Sequence, residues 1–459
     1  MLYSSLLFIY GFLPVSLLIY MITPENLKKN VLFLLSMIFC TLNSLKFLVF
    51  MLVYIAVNYI AGMFIWVLRE KKSLSAIPLF VGTAFDLTMI FMFRTEAFSS
   101  LKNNLNIPDE FFPVGISFFT LSAVGYLIDI FRKRMRAERD FICFGLYIMM
   151  FPRIIMGPVI RYKTFKKMLK NRKSDLADIG MGFTIFVKGL VKKVIAADTM
   201  YMLYTAVKSV DIWKMPALNA WLGMTAYLLC LYFMLSGFAD MGTGVGYCFG
   251  FRFPQSFNYP VFSTKIRNFA ANWHVHIIYW FRRYFSKPLC ELCRKRVYKK
   301  IIYILAWCMV GFWYRFDING FLWGFFIGLS VLAENVFGRM KIMKATGIIY
   351  TYAVTMICAV FLAGENISYS LNYLLAMLGG NRMFADSQTL YLLKYYIVLL
   401  LICMYFSTSL FRNMLMRSGR TKLKVPMEIA SPIITVVLLA VCTALISYSG
   451  SSGMILMTL

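Results

Sequence analysis

The sequence predicts an all-α integral membrane protein, a polytopic bundle of roughly ten to twelve transmembrane helices with re-entrant and interfacial helices among them. Three observations predict it. Of the 459 residues, 60% are hydrophobic and 17% aromatic, and the mean hydropathy is +0.71, too apolar for a water-soluble globular chain. Apolar runs of roughly 17 to 25 residues, the length that crosses hydrocarbon as a helix, recur from Leu2 to the segment before Gly450. Lys and Arg gather in short clusters between those runs, at Lys28 and Lys29 and at residues 69–72, 132–139 and 161–173. The runs do not alternate apolar with polar residues, which excludes a β-barrel. A single polytopic membrane domain is expected over residues 1–459, without a soluble domain.

The net charge of +28 is of the size that attracts nucleic acid, yet its placement between apolar runs is what the positive-inside rule predicts for cytoplasmic loops. Membrane lipid is the expected surrounding, and nucleic acid is not an expected partner. Residues 3–22 form a long apolar stretch without a basic start or a small-residue cleavage site, and read as the first span. Residues 31–43 and 46–67 read as an out-and-back pair, residues 76–94 as a further span, 95–110 as an outer loop, and 112–131 as a return. Residues 141–160 are flanked by basic clusters on both sides and broken by Pro152 and Gly157-Pro158. That pattern predicts a re-entrant hairpin lining a cavity, because irregular backbone at membrane depth has to be satisfied by protein or water.

A helix over 178–198 carries Lys188 and Lys192 one turn apart, giving it one basic face. A span from about Trp213 to Leu235 follows, and the glycines and prolines of 237–289 predict broken and interfacial helices. Paired apolar runs at 301–314 with 320–337, and 345–363 with 389–407, precede a last one at 428–448. The ten cysteines are scattered, apart from Cys290 and Cys293. No second pair or nearby His completes a metal site there, so no metal is expected.

Ionisable groups inside a membrane domain are costly and mark function first. The chain has two histidines, His274 and His276. In a helix, residues two apart point about 200° from each other, so one at most faces a given cavity. Taken alone, either is more readily a packed side chain than a catalytic one.

Ordered motifs add to this reading. They are F-P-V-G-I-S-F-F-T at 112–120, Y-L-I-D-I-F-R at 126–132, G-P-V-I-R-Y at 157–162, K-G-L-V-K-K-V-I-A-A-D at 188–198 and S-G-F-A-D-M at 236–241. G-F-R-F-P-Q-S-F-N-Y-P at 250–260 and F-A-A-N-W-H-V-H-I-I-Y-W-F-R-R-Y-F-S-K-P-L at 269–289 follow. Over about residues 110–330 the chain resembles the membrane-bound O-acyltransferases, in particular the bacterial members that acylate extracellular polysaccharides.

The resemblance implies helices around a central funnel in a multi-pass protein of the bacterial plasma membrane. It implies His274 as the base that deprotonates a sugar hydroxyl, a role neutral imidazole suits. His276 falls where a small polar residue is usual. The position of a second family histidine, in G-L-W-H-G, is held here by Tyr314 of G-F-W-Y-R, whose hydroxyl can orient a substrate or donate to an oxyanion. Ala271 and Asn272 replace a basic pair, and Met234 replaces an acid. Asp240, Asn272, Trp273, Arg161 and Arg282 are the candidate substrate contacts, Asp240 lying between glycine-rich turns. Asp240, Asp129 and Asp198 are equally readable as acids satisfied by neighbouring Arg and Lys.

No tightly bound cofactor is implied. The donor would be an acyl thioester, acetyl-CoA or an acyl carrier protein, and the acceptor a cell-surface glycan. A second, extracytoplasmic acyltransferase is a further implied partner. Two other readings stand beside this one: a catalytically altered relative acting as a scaffold or acyl conduit, and a secondary transporter, for which paired repeats are lacking.

Overall fold

The computed structural model describes residues 2–95, 112–173, 175–337, 346–410 and 424–449, and every regular element among them is helical. The chain forms two compact units, Met1–Phe186 with Phe238–Pro254, and Val187–Gly237 with Gln255–Leu459. The first unit begins with α1 (Leu7–Ile22), α2 (Lys28–Asn43), α3 (Leu45–Val67), α4 (Lys72–Arg94) and α5 (Ile116–Phe131). It continues through α6 (Phe141–Met149), α7 (Phe151–Ile154), α8 (Tyr162–Lys170) and most of α9 (Leu176–Val191). The second holds α10 (Asp198–Lys208), then the first part of α11 (Ala217–Cys248), α12 (Ile266–Asn272), α13 (Val275–Phe281), α14 (Lys287–Leu292) and α15 (Arg296–Tyr314). It ends with α16 (Ile318–Phe337), α17 (Gly347–Ala363), α18 (Ile367–Met377), α19 (Ser387–Phe406) and α20 (Lys424–Ser449).

Among the described residues, five helices are long and apolar enough to cross a bilayer, within α3, α4, α11, α19 and α20. Four shorter apolar helices accompany them, Leu7–Ile22, Ile116–Phe131, Ile318–Glu334 and Gly347–Ala363. Exposed Val15, Leu18, Phe80, Val81, Val398 and Val437 are what hydrocarbon, rather than water, would contact. The chain is an integral membrane protein. The expected outer loop over 95–110 lies outside the described residues except for Thr95.

The broken stretch at 141–160 forms as its composition predicts: α6 stops at Met149, Pro152 sits in the first turn of α7, and the chain then runs without regular structure to Arg161. Gly115 has φ +82° just before α5, and a Cβ there would lie 1.8 Å from the Ile154 carbonyl oxygen, so only glycine fits. Aromatic rings fill the core of this unit, with Tyr126, Phe144, Tyr147 and Tyr162 packed edge to face or tilted. On α8, Tyr162, Phe165 and Leu169 point inward while Lys163, Lys166, Lys167 and Lys170 are exposed, the pattern of an interfacial helix.

Three expectations are corrected. The span expected to end at Leu235 continues to Cys248 as one helix. Its glycines mark close approach rather than turns: a Cβ on Gly237 would lie 2.8 Å from the Gly189 carbonyl oxygen, and one on Gly244 2.5 Å from that of Gly182. Asp240 therefore sits within a helix, not between turns.

The helix expected over 178–198 becomes α9, a π-helical turn at Lys192–Ala197, and α10. Lys188 is exposed, but the neighbouring Lys193 is wholly buried and its Nζ lies 2.8 Å from Asp198 Oδ2. The extra residue of a π turn rotates the following side chains inward, and a paired lysine tolerates burial. Finally, α18 was not foreseen. It starts where the Asn366 side chain accepts from the Tyr369 N–H.

Candidate active site

The W-H dipeptide lies where the helix breaks. α12 ends at Asn272, Trp273 is extended, and His274 adopts φ +39° and ψ 56°, a left-handed conformation rare for a side chain with a Cβ. The helical spacing assumed for His274 and His276 thus does not hold at this point. Such a conformation costs roughly 1–3 kcal/mol and persists only where its surroundings over-determine it. Here they do. The Val275 N–H donates to the Ser256 carbonyl (2.8 Å), the Asn258 N–H to the Asn272 carbonyl (3.1 Å), and the Trp273 N–H to Phe269 (2.9 Å). The Phe257 ring stacks on the imidazole with centroids 5.0 Å apart, and the Trp313 ring meets it edge-on at 6.0 Å.

Tyr314 reaches this point from the end of α15. That helix and α16 pack backbone to backbone through Gly311, Gly320 and Gly324: a Cβ on Gly324 would lie 2.0 Å from the Trp307 carbonyl oxygen. Arg315 secures the turn between them, donating to the carbonyls of Leu362 (3.0 Å), Gly364 and Glu365 (3.0 Å) and pairing with Asp317 at 2.6 Å. Tyr314 is thereby held with its hydroxyl 2.7 Å from His274 Nδ1 and 3.0 Å from Trp273 Nε1.

The chemistry of the three groups restricts their roles. The indole N–H only donates, so the Tyr314 oxygen accepts there. Toward Nδ1 the hydroxyl either donates, or accepts an Nδ1–H through its second lone pair. The second arrangement leaves Nε2 unprotonated and basic. His274 is 2% exposed. Burial first, and the nearby His276 after it, push its pKa below the ordinary histidine value, so the ring stays neutral. A neutral, oriented imidazole in a water-poor setting can take a proton from a hydroxyl.

The structure brings together His274, Tyr314 and Trp273, with half-buried Asn272 adjoining them in the chain. Arg282 is exposed on the π-helical turn after α13. Arg161, exposed at the start of α8, and Asp240, half-buried in α11, belong to the first unit. Asp129 pairs with Arg134 at 3.4 Å, and Asp198 with Lys193, so both have the neighbouring basic partner expected of them. Phe257 and the Ser256 carbonyl were missed as site residues, although both lie within the S-F-N-Y-P stretch. Cys290 and Cys293 are half-buried, the other eight cysteines buried. Among the described residues no three His, Cys, Asp or Glu side chains gather as metal ligands.

A helical membrane protein with a buried, oriented imidazole is the class these features define. The model of the MBOAT, membrane-bound O-acyltransferase family matches residues 131–375, and the chain belongs to that family. It is similar to the probable alginate O-acetylase AlgI of Pseudomonas aeruginosa, 28% identical over 382 residues that cover 80% of this chain and 73% of the relative. The peptidoglycan O-acetyltransferase of Helicobacter pylori is 26% identical over 431 residues, 83% of this chain and 80% of its own. The teichoic acid D-alanyltransferase of Bacillus subtilis is 26% identical over 244 residues, 49% of this chain and 60% of its own.

Proposed function

We propose that this protein transfers an acyl group, acetyl in the first instance, to a hydroxyl of a cell-envelope polysaccharide at the bacterial plasma membrane, with His274 as general base. The observation that carries the reading is the 2.7 Å contact between His274 Nδ1 and the Tyr314 hydroxyl, at a backbone held in the left-handed region. The names of the relatives, two O-acetylating enzymes and a D-alanyltransferase, support the acyl group and the class of acceptor.

In this mechanism Nε2 of His274 takes the proton of the attacking hydroxyl as its oxygen bonds to the acyl carbonyl carbon. The bond from that carbon to the thioester sulfur then breaks, and the proton passes to the departing thiolate. Tyr314 is a positioning residue: it accepts from Trp273 and holds the imidazole through Nδ1. The donor is proposed to be acetyl-CoA or an acylated carrier protein. The basic segment 161–173, most of it the helix α8, suits the phosphates of the one or the acidic surface of the other, and a second, extracytoplasmic acyltransferase would act on the same glycan.

Deleting the gene and measuring surface-glycan acylation by mass spectrometry tests the proposal. Acylation should disappear, return with the wild-type gene, and not return with His274→Ala. Complementation by His274→Ala would remove His274 from the mechanism. Acylation lost on deletion yet restored by His274→Ala would favour the scaffold or conduit reading, for which Met234 and Tyr314 are the sequence support, and unchanged acylation on deletion would overturn both readings.

A further inference from the structure

We propose that Arg153 in the first unit is a seat for a small oxyanion, a carboxylate or phosphate group. Arg153 lies on the short helix α7 of the re-entrant stretch and is only 5% exposed. One of its terminal nitrogens, Nη2, donates to the Tyr147 carbonyl, and its guanidinium lies 4.6 Å from the centre of the Tyr147 ring and 5.6 Å from that of Phe165. No carboxylate among the described residues pairs with it. The other terminal nitrogen, Nη1, is buried and has no hydrogen-bond partner.

A buried cation is stable when it is paired or fully hydrogen-bonded, and one carbonyl with two ring faces solvates only part of a group that carries five N–H donors. Arg153 also lines a narrow cleft, partly open to the exterior, together with Phe118, Phe119, Ser122, Ile148 and Pro158. Its walls offer no acid to compete for the guanidinium. A planar fork with an unused terminal nitrogen suits the oxygens of a carboxylate or phosphate. The apolar rings around it suit the head of an amphiphile as well as a free anion.

This inference does not rest on the acyl-transfer reading, and its test does not use activity. Full-length protein, purified in detergent, is melted in increasing potassium phosphate or acetate against chloride at matched ionic strength, and native mass spectrometry records anionic phospholipid that survives purification. The wild-type protein should either melt higher with the logarithm of the oxyanion concentration or retain a phospholipid. The first outcome assigns a free anion and the second a lipid headgroup. Arg153→Gln should abolish whichever signal is seen, and Arg153→Lys, a point cation without the fork, should weaken it. Where Arg153→Gln does not fold, Ser122→Leu narrows the cleft with the arginine in place and should reduce the same signal. Equal responses in the wild type and Arg153→Gln, an unaltered response in Ser122→Leu, or no shift and no retained lipid in the wild type would overturn the proposal.

Discussion

The protein interrupts its helices at two buried places, and the two are built in opposite ways. Between α6 and Arg161 the break is written in Pro152, Gly157 and Pro158, residues that stop a helix whatever surrounds them. Between α12 and α13 there is neither glycine nor proline, and His274 is turned into the left-handed region by contacts from Ser256, Phe257 and Tyr314. The first break is imposed by local chemistry and leaves a cation short of partners. The second is imposed from outside, against local preference, and holds an imidazole through Nδ1. Strain maintained at the cost of stability is a stronger sign of function than a break that costs nothing beyond its own residues.

The largest expected effect separates the imidazole from its setting. His274→Ala should lower glycan acylation by about 100- to 10,000-fold, the range a general base supplies, while the protein still inserts and elutes as the wild type does. A comparable activity loss accompanied by aggregation would make His274 a folding residue instead. Next, Gly115→Ala should destabilise by at least about 2 kcal/mol, from a left-handed backbone that alanine disfavours and a clash with the Ile154 carbonyl. Thermal melting in detergent reads this, and an unchanged midpoint would mean that the first break adjusts freely.

Tyr314→Phe removes the acceptor for Trp273 and the partner of Nδ1, a cost of about 1–3 kcal/mol for buried groups left unpaired. If that loss falls on the transition state, acylation drops roughly 10- to 100-fold with the slower turnover appearing in kcat rather than KM. A change confined to KM would place Tyr314 on the substrate. His274→Asn should be more stable than His274→Ala by about 1 kcal/mol, because asparagine tolerates the left-handed region better than alanine does, while neither should restore acylation. Equal melting points would show that the backbone there is not strained.

The smallest effect concerns pH. Because burial lowers the pKa of His274, the ring keeps its lone pair as the pH falls through the ordinary histidine range. The acylation rate of detergent-solubilised protein should therefore show no acid-side fall centred near pH 6.5 in the wild type. A fall centred there in the wild type would indicate an exposed, ordinary imidazole.

How much could be read beforehand followed the same division. The apolar spans, the break within 141–160 and the α15–α16 hairpin were legible, because apolar length, proline and basic flanks act locally. The glycines of α11 misled, since the same residue serves a turn or a close helix contact, and only the neighbouring Gly182 and Gly189 backbones distinguish the two. Lys193 was passed over for Lys188 because a helical count cannot anticipate a π turn. At the site, the ordered motifs pointed to His274 and Tyr314, but not to their contact. That contact joins residues forty positions apart and depends on a backbone angle at His274 that no local propensity favours.

The glycine-lined hairpin of α15 and α16 has a bearing on how such a site can change. With carbonyl oxygens already against the Cα atoms of Gly311, Gly320 and Gly324, the two rods are in backbone contact and cannot draw closer to suit a new side chain at their end. The hairpin fixes how far residue 314 reaches and leaves open only what it carries. A phenol in that place is therefore held at a fixed distance, and the imidazole of Tyr314→His would be delivered to the same spot.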